Sequence, residues 1–404
     1  MKSFYDIIVV GGGVVGSVAA LALAQKSSLK IALIESQTLS FSFKPDQHDH
    51  RVSAISLASK RILQNIAVWS AIESKRVASY TRMSVCDEKS TGKLEFDCNE
   101  VALPVLGYII EDSVMRASLL QKIAETASID LFCPAKMISL KKNADGVLLE
   151  MQDGNFLSTK LLIAADGAHS FVRQQANMEL NQRDYGQTAI VATIRLESSH
   201  EKTAWQRFLT TGPLAFLPLE DNHLCSIVWS VTEDCVNELL SLDDEFFSKK
   251  LTEASEKKWG EVTVVSPRYH FPLRMRHAKK YVEERIALIG DAAHTLHPLA
   301  GQGVNLGLLD AACLSDVILE AIKKNRDFSS LPTLRRYERW RKSDNLAMLA
   351  MVDVLKNCFG EQSLFINHLR GTGLNCINRF DFIKNRLIQY AVGNRGDLPG
   401  LARE

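Results

Sequence analysis

The sequence predicts an α/β protein: a mostly parallel sheet flanked by helices, an antiparallel sheet inserted into it, and a helical C-terminal region. Three observations predict this. An apolar strand at the N-terminus runs into a glycine-rich turn and a helix. Similar strand-to-loop units recur near residues 160 and 285. Between them, the hydrophobic pattern alternates with a period of two, as half-buried strands do.

The first unit is compact. Tyr5 to Val10 reads as a buried strand, Val14 to Lys26 as an alanine- and leucine-rich helix, and Lys30 to Ile34 as a second strand ending at Glu35. That is the size of a βαβ unit. Residues 36–50 read as a polar loop; His48, Asp49 and His50 could bind a metal, but a solvated loop is favoured because no further ligands follow at regular spacing. Ser113 to Ala127 reads as a helix with an apolar stripe of Met115, Leu119, Leu120, Ile123 and Ala124. Short strands are expected at 129–132, 136–141, 146–151 and 155–165, separated by the turn signals Asn143–Gly146 and Asp153–Gly154.

Residues 185–275 change character. Alternating runs at 188–196, 214–219 and 224–231 predict an antiparallel sheet, interrupted by a charged helical stretch at 243–258. The first domain resumes with a strand at Arg285–Ile289 and a helix from about Gly303 to Lys323. From Leu331 onward the chain reads as helical.

Composition excludes several classes. The 404 residues are 46% hydrophobic and 24% charged with net charge +1, so no global field calls for nucleic acid. The eight cysteines show neither C-x-x-C nor zinc-ligand spacing, which fits reduced thiols. No signal peptide and no apolar run long enough to span a membrane is read. A cytoplasmic location is expected, with peripheral contact to the inner membrane left open.

Gly11-Gly12-Gly13-Val14-Val15-Gly16 matches G-x-G-x-x-G in its required context, with an acidic residue, Glu35, ending the next strand. Gly11 permits the tight turn, Gly13 lets the backbone approach a pyrophosphate, and Gly16 lets helix and strand pack closely. Free amides at the helix start suit phosphate, and Glu35 suits ribose hydroxyls. This motif alone fits NAD and FAD equally. A second motif, Ala165-Asp166-Gly167-Ala168-His169-Ser170-Phe171-Val172-Arg173, follows a strand and places charged and hydroxyl groups at its carboxyl end. A third runs Gly290-Asp291-Ala292-Ala293-His294, then Pro298, then Gly301-Gln302-Gly303-Val304-Asn305-Leu306-Gly307. It feeds a carboxylate into a loop before a glycine-rich helix start that could stabilise negative charge.

In this order and spacing the three motifs resemble the single-component FAD-dependent aromatic hydroxylases, the group that includes para-hydroxybenzoate hydroxylase. The likeness covers nearly the whole chain. Arg51–Ser56, Gly107–Glu111, Trp205–Phe208 and Gly212–Leu219 further resemble the ubiquinone-biosynthesis hydroxylases, in particular the branch acting on 2-polyprenyl-3-methyl-6-methoxy-1,4-benzoquinol.

The resemblance implies a Rossmann-like FAD-binding domain (1–75, 107–184 and 276–330), an inserted antiparallel β-sheet substrate domain (76–106 and 185–275) and a helical C-terminal region (331–404). It implies ring hydroxylation of a polyprenylated quinol with O2, through a flavin C4a-hydroperoxide, with NAD(P)H as electron donor. It assigns Gly11, Gly13 and Gly16 to the pyrophosphate and Glu35 to the ribose. Arg51 and Arg116 go to the flavin or pyrophosphate, Asp166 and Gly167 to a motif serving FAD and the nicotinamide, and Asp291, after Gly290, to the ribityl chain. Pro298, Gly301, Gln302, Gly303 and Asn305 would line the flavin ring. For Arg51 and Arg116, surface salt bridging is the competing reading; for His294 and His297, a packed structural role is favoured over acid–base chemistry.

Phe216, Leu217, Ile227 and Trp229 are candidates for a wall over the flavin, with plain sheet core expected for at least half of them. No substrate-activating base is legible. Residues 335–395 carry eleven Lys/Arg against five Asp/Glu, among apolar runs at 346–355 and 364–369. That fits an interfacial helix or, favoured, a helix pair packed on the core or on a partner subunit. A homo-oligomer or a biosynthetic complex also stays open. Two other functions compete: hydroxylation of a soluble phenol, and an idle FAD-binding scaffold subunit. The intact second and third motifs count against the scaffold.

Overall fold

A computed structural model describes residues 2–38, 43, 48–89, 92–295 and 303–360 (backbone only over 351–360), and, toward the C-terminus, 384, 388–389, 392–394 and 396–403.

The first sheet is built on parallel strands. Its centre runs Ile286–Leu288, Phe156–Ala164, Lys2–Val10, Ile31–Ile34 and Ile129–Phe132, each parallel to the next. Ile7, Ile8, Val9, Ile31, Leu33 and Leu161 to Ala164 are fully buried, because helices cover both faces of such a sheet. Each fully buried aliphatic side chain there contributes about 1.5–3 kcal/mol. The strand Phe156–Ala164 is shared: Val147–Met151 pairs antiparallel with its first half, and Ile286–Leu288 pairs with its second. Its carboxyl end is thereby placed next to that of Lys2–Val10 and of Ile286–Leu288. The helices Val14–Lys26 and Gly303–Lys323 pack on each other over this sheet.

The second sheet is antiparallel but for one pairing. Its path is His294–Thr295, Tyr269–Ala278, Leu180–Leu196, Leu224–Thr232, Gly212–Pro218, Thr203–Leu209, Arg82–Asp87 and Lys93–Asp97. Thr203–Leu209 runs parallel to Arg82–Asp87, so residues from early in the chain complete a sheet formed mostly by 180–278. A small sheet of Val52–Ile55, Gly107–Glu111 and Ala78–Tyr80 joins the two.

Some elements differ from their expected bounds. The strand expected at 188–196 begins at Leu180, because the polar stretch Asn181–Asp184 pairs with Arg274–His277 despite showing no alternation. The charged stretch after 232 forms two helices, Glu233–Ser241 and Asp244–Ala254. Both lie on one face of the second sheet. Their apolar residues close a core with Phe216, Ile227 and Trp229, which corrects the expectation of a flavin wall for those three. Leu217, on the opposite face, packs with Ala54, Leu57 and Tyr80. Trp205 joins the same covered core, 5.2 Å from the Phe216 ring and 5.7 Å from that of Trp259.

Beyond Leu331 the described residues pack on the core. Tyr337, Arg341 and Asn345 are buried, Trp340 Nε1 donates to the Asp397 carbonyl, and Gly400 N donates to Asp316. Ile388 and Val392 enter the cluster that holds Leu57 and Leu217. Most of the apolar runs 346–355 and 364–369, on which the interfacial reading rests, lies outside the described side chains.

Candidate cofactor and active site

The three glycine motifs meet at the carboxyl ends of the parallel strands. Gly11 has φ +108°, and a β-carbon there would stand 2.2 Å from the Ala165 carbonyl oxygen, so the first and second motifs abut. A β-carbon on Gly307 would stand 2.6 Å from Val15 Cγ2 and one on Gly290 3.2 Å from Val15 Cγ1, so the first and third motifs abut as well. Gly16 closes the turn from below; its β-carbon would lie 2.0 Å from the Gly11 carbonyl oxygen.

Gly13 is different. A β-carbon there would meet nothing within 4 Å. It stands at the N-terminus of Val14–Lys26, and no side chain caps that helix. Glu35, half-buried, accepts from Gly12 N at 2.8 Å and from Gln37 N at 2.8 Å. Its carboxylate is thus held at the glycine turn.

In the second motif Asp166 accepts from Val172 N at 3.1 Å through Oδ2, while its buried Oδ1 has no hydrogen-bond partner among the described residues. Burial raises its pKa, against the bonds from Ser170 and Val172. Gly167 has φ +81° with open space around it. Arg173, buried, donates to the Ala292 carbonyl at 2.8 Å and to the Ala168 carbonyl at 3.0 Å. It ties the second motif to the third.

In the third motif Asp291 is accessible to solvent but surrounded by protein. That surrounding mass pushes its pKa up, while His294, Arg51 and Arg276 pull it down. Arg51 also faces Asp112, which pairs with Arg116 Nη1 at 3.6 Å one helical turn on. Both arginines thus act on Asp112, and of these two Arg51 also acts on Asp291. Asn305, at the start of the glycine-rich helix with Gly303, spends its amide on structure: Nδ2 donates to the Ala54 carbonyl at 2.7 Å and Oδ1 accepts from Ser56 N at 2.9 Å. Pro298, Gly301, Gln302 and His297 lie outside the described residues.

Sequence reasoning missed three supports. Glu111 is buried and accepts from Arg76 Nε at 2.6 Å, Asp49 N at 2.6 Å and His48 Nδ1 at 3.3 Å. Asp49 in turn accepts from Ser113 N at 2.9 Å and Arg51 N at 3.0 Å. His48 and Asp49 are thus anchors of the Arg51 segment, which corrects the solvated-loop expectation for them. Arg173 is the second support. The third is Asp310, whose fully buried carboxylate receives His294 Nε2 at 2.5 Å and Arg341 Nε at 2.9 Å. His294 accordingly has a packed structural role. The signal for Asp310 was available: a lone carboxylate within the apolar run Leu306–Leu314 must be paired.

This arrangement offers uncapped helix amides for an anion and carboxylate acceptors for hydroxyl groups on either side. It suits a dinucleotide lying across the strand ends, where open α/β sheets bind ligands.

Comparison with known proteins gives the same class. The chain belongs to the FAD binding domain family, matched over residues 5–347, and is an FAD-dependent monooxygenase by that membership and its relatives. Those relatives are more particular. It is 35% identical over 388 residues to the 3-demethoxyubiquinol 3-hydroxylase of Escherichia coli K12, covering 96% of this chain and 98% of that protein. It is 35% identical to the ubiquinone hydroxylase UbiL of Rhodospirillum rubrum, covering 96% of this chain and 89% of that protein. Among solved structures, the p-nitrophenol 4-monooxygenase PnpA of Pseudomonas putida DLL-E4 shares the fold at TM-score 0.79 and 17% identity, over 98% of this chain and 100% of that one. A variant of HpxO from Klebsiella pneumoniae, solved as its complex with FAD, shares it at TM-score 0.72 and 18% identity, over 97% and 98%.

Proposed function

We propose that this chain hydroxylates the ring of a polyprenylated benzoquinol in ubiquinone biosynthesis. The observation that carries the site is the convergence of three glycine motifs on one set of strand ends, with Val15 seated against Gly290 and Gly307. The full-length relatives named as ubiquinone hydroxylases support the substrate class.

On this reading the open amides after Gly13 hold the pyrophosphate and Glu35 takes the adenosine ribose. Asp291 and the unpartnered Oδ1 of Asp166 accept from hydroxyl groups of the cofactor. Arg51 offsets charge at Asp291. The chemistry supplied by bound FAD is acceptance of two electrons from NAD(P)H and delivery of one oxygen atom of O2 to an electron-rich ring, the other leaving as water. The chain's own part is to bind, orient and exclude water. The face of the second sheet not covered by helices provides the apolar wall for the substrate ring, through Leu217, Val228, Phe271 and Met275.

A polyprenyl tail resides in the bilayer, so the protein meets its substrate at a membrane surface. No helix among the described residues is long and apolar enough to cross a membrane. Flotation of the full-length protein with liposomes tests this peripheral contact. Truncation at 343 would not, since it removes the buried Asn345, Leu349 and Leu401.

Deleting the gene tests the function. A polyprenylated precursor lacking one ring hydroxyl should accumulate, as read by mass spectrometry. Unchanged ubiquinone would sink the proposal.

A further inference from the structure

The helix Gly303–Lys323 carries one fully buried charge, Asp310, and its two oxygens face different parts of the chain. Oδ2 accepts from Gly290 N at 3.2 Å and from His294 Nε2 at 2.5 Å, both in the loop that presents Asp291. Oδ1 accepts from Arg341 Nε at 2.9 Å and from Asn345 Nδ2 at 3.2 Å, both on the helix Leu331–Gly360. Arg341 is itself buried and also donates to Asn345 Oδ1 at 3.0 Å. Burial pushes the Asp310 carboxyl up, but His294 and Arg341 together hold it below its usual range.

A carboxylate is a rigid plane. If the long helix shifts, Oδ1 must turn to keep Arg341, and Oδ2 turns with it against Gly290. The loop and the helix therefore cannot relax independently. Gly290 has φ +57° and is wedged on Val15, so the loop has little other freedom to absorb such a turn.

We propose that Asp310 is a positioning residue that couples FAD binding at the Gly290–Asp291 loop to docking of the helix Leu331–Gly360. It rests on the reading of Asp291 as an FAD contact. By linkage the coupling is reciprocal: FAD tightens the helix, and loosening the helix weakens FAD. The helix Leu331–Gly360 thereby becomes a determinant of cofactor affinity, acting on the cofactor loop through Asp310.

Two measurements on the full chain test it. FAD affinity is titrated, by flavin fluorescence, for wild type and for Arg341→Lys, Asp310→Asn and Asp291→Ala, below each variant's melting temperature. Arg341→Lys and Asp310→Asn should each weaken FAD by about fivefold or more, the usual lower bound of such coupling. A role in stability alone would lower the melting temperature and leave FAD affinity unchanged, and that result overturns the proposal. Hydrogen exchange in the wild-type protein needs no variant to fold: the amides of residues 337–349 should exchange more slowly with FAD than without. Equal exchange overturns the proposal. If Asp291→Ala keeps wild-type affinity, the reading of the loop fails. If Asp291→Ala weakens FAD while Arg341→Lys does not, the coupling alone fails.

Discussion

Gly16 packs so closely on Gly11 that a β-carbon at position 16 would stand 2.0 Å from the Gly11 carbonyl oxygen. Three residues earlier, Gly13 has nothing within 4 Å of the same position. Glycines of one motif are thus required for opposite reasons, one by the protein and one by its ligand. Gly16→Ala should destabilise the fold by about 1–3 kcal/mol, as overpacking does. Gly13→Ala, at φ −69° and ψ −177°, meets no strain and should leave the melting temperature within a degree or two. It should instead weaken FAD, because the methyl group would lie where the pyrophosphate approaches. Thermal melts of the FAD-free proteins, paired with FAD titrations, check both. Equal effects of the two substitutions on stability would contradict the assignment.

Arg173 joins the second and third motifs by donating to the carbonyls of Ala168 and Ala292. Arg173→Met keeps much of the stem's packing but leaves both carbonyls without that donor. A loss of roughly 2–6 kcal/mol is expected, from about 1–3 kcal/mol for each of the two unsatisfied buried groups. Urea unfolding of the variant measures it. FAD affinity should fall as well, since the loops on either side of the cofactor lose their tie.

His277 predicts a pH dependence. Its ring is buried beside Tyr281, with His294 and Lys342 nearby, and burial first, then those two charges, lowers its pKa from the usual 6.5 to about 4. Burial raises the Tyr281 pKa and holds it protonated, and its hydroxyl shares a 3.0 Å hydrogen bond with His277 Nε2. Above pH 6.5 the ring is neutral in both the folded and unfolded chain, and its contribution is complete. Below that, the unfolded chain takes up a proton that the folded one refuses, so stability falls as pH drops toward 4. The loss approaches roughly 3 kcal/mol, at about 1.4 kcal/mol per unit. His277→Gln removes this titration. Its stability should decline less than wild type between pH 6.5 and 4 in denaturant melts, and a parallel decline would contradict the assignment.

The centre of the parallel sheet was legible because Ile7–Val10, Leu161–Ala164 and Ile286–Leu288 are continuous apolar runs with a glycine within three residues of their carboxyl ends. Leu180–Asp184 was not, since a strand whose outer half carries Asn181, Gln182, Arg183 and Asp184 shows no period of two. The aromatic residues of the second sheet misled for a related reason. Alternation says which residues share a face, but not which face the helices Glu233–Ser241 and Asp244–Ala254 will cover. The glycine motifs were visible in the sequence, yet the residues that brace them lie far away in the chain. Glu111 supports Asp49 from 62 positions away, and Arg341 reaches Asp310 across 31. Such pairings follow from tertiary packing, which no local pattern records.

The central claim is that this fold holds FAD so as to put one oxygen atom on a polyprenylated ring. A single turnover tests it without knowledge of the physiological donor. The FAD-loaded protein is reduced chemically, then mixed with a demethoxylated polyprenyl benzoquinol and ¹⁸O₂, and the product is read by mass spectrometry. One ¹⁸O atom in a new ring hydroxyl is the predicted result. Oxidised flavin with unaltered quinol, or a product carrying oxygen from water, would contradict the account.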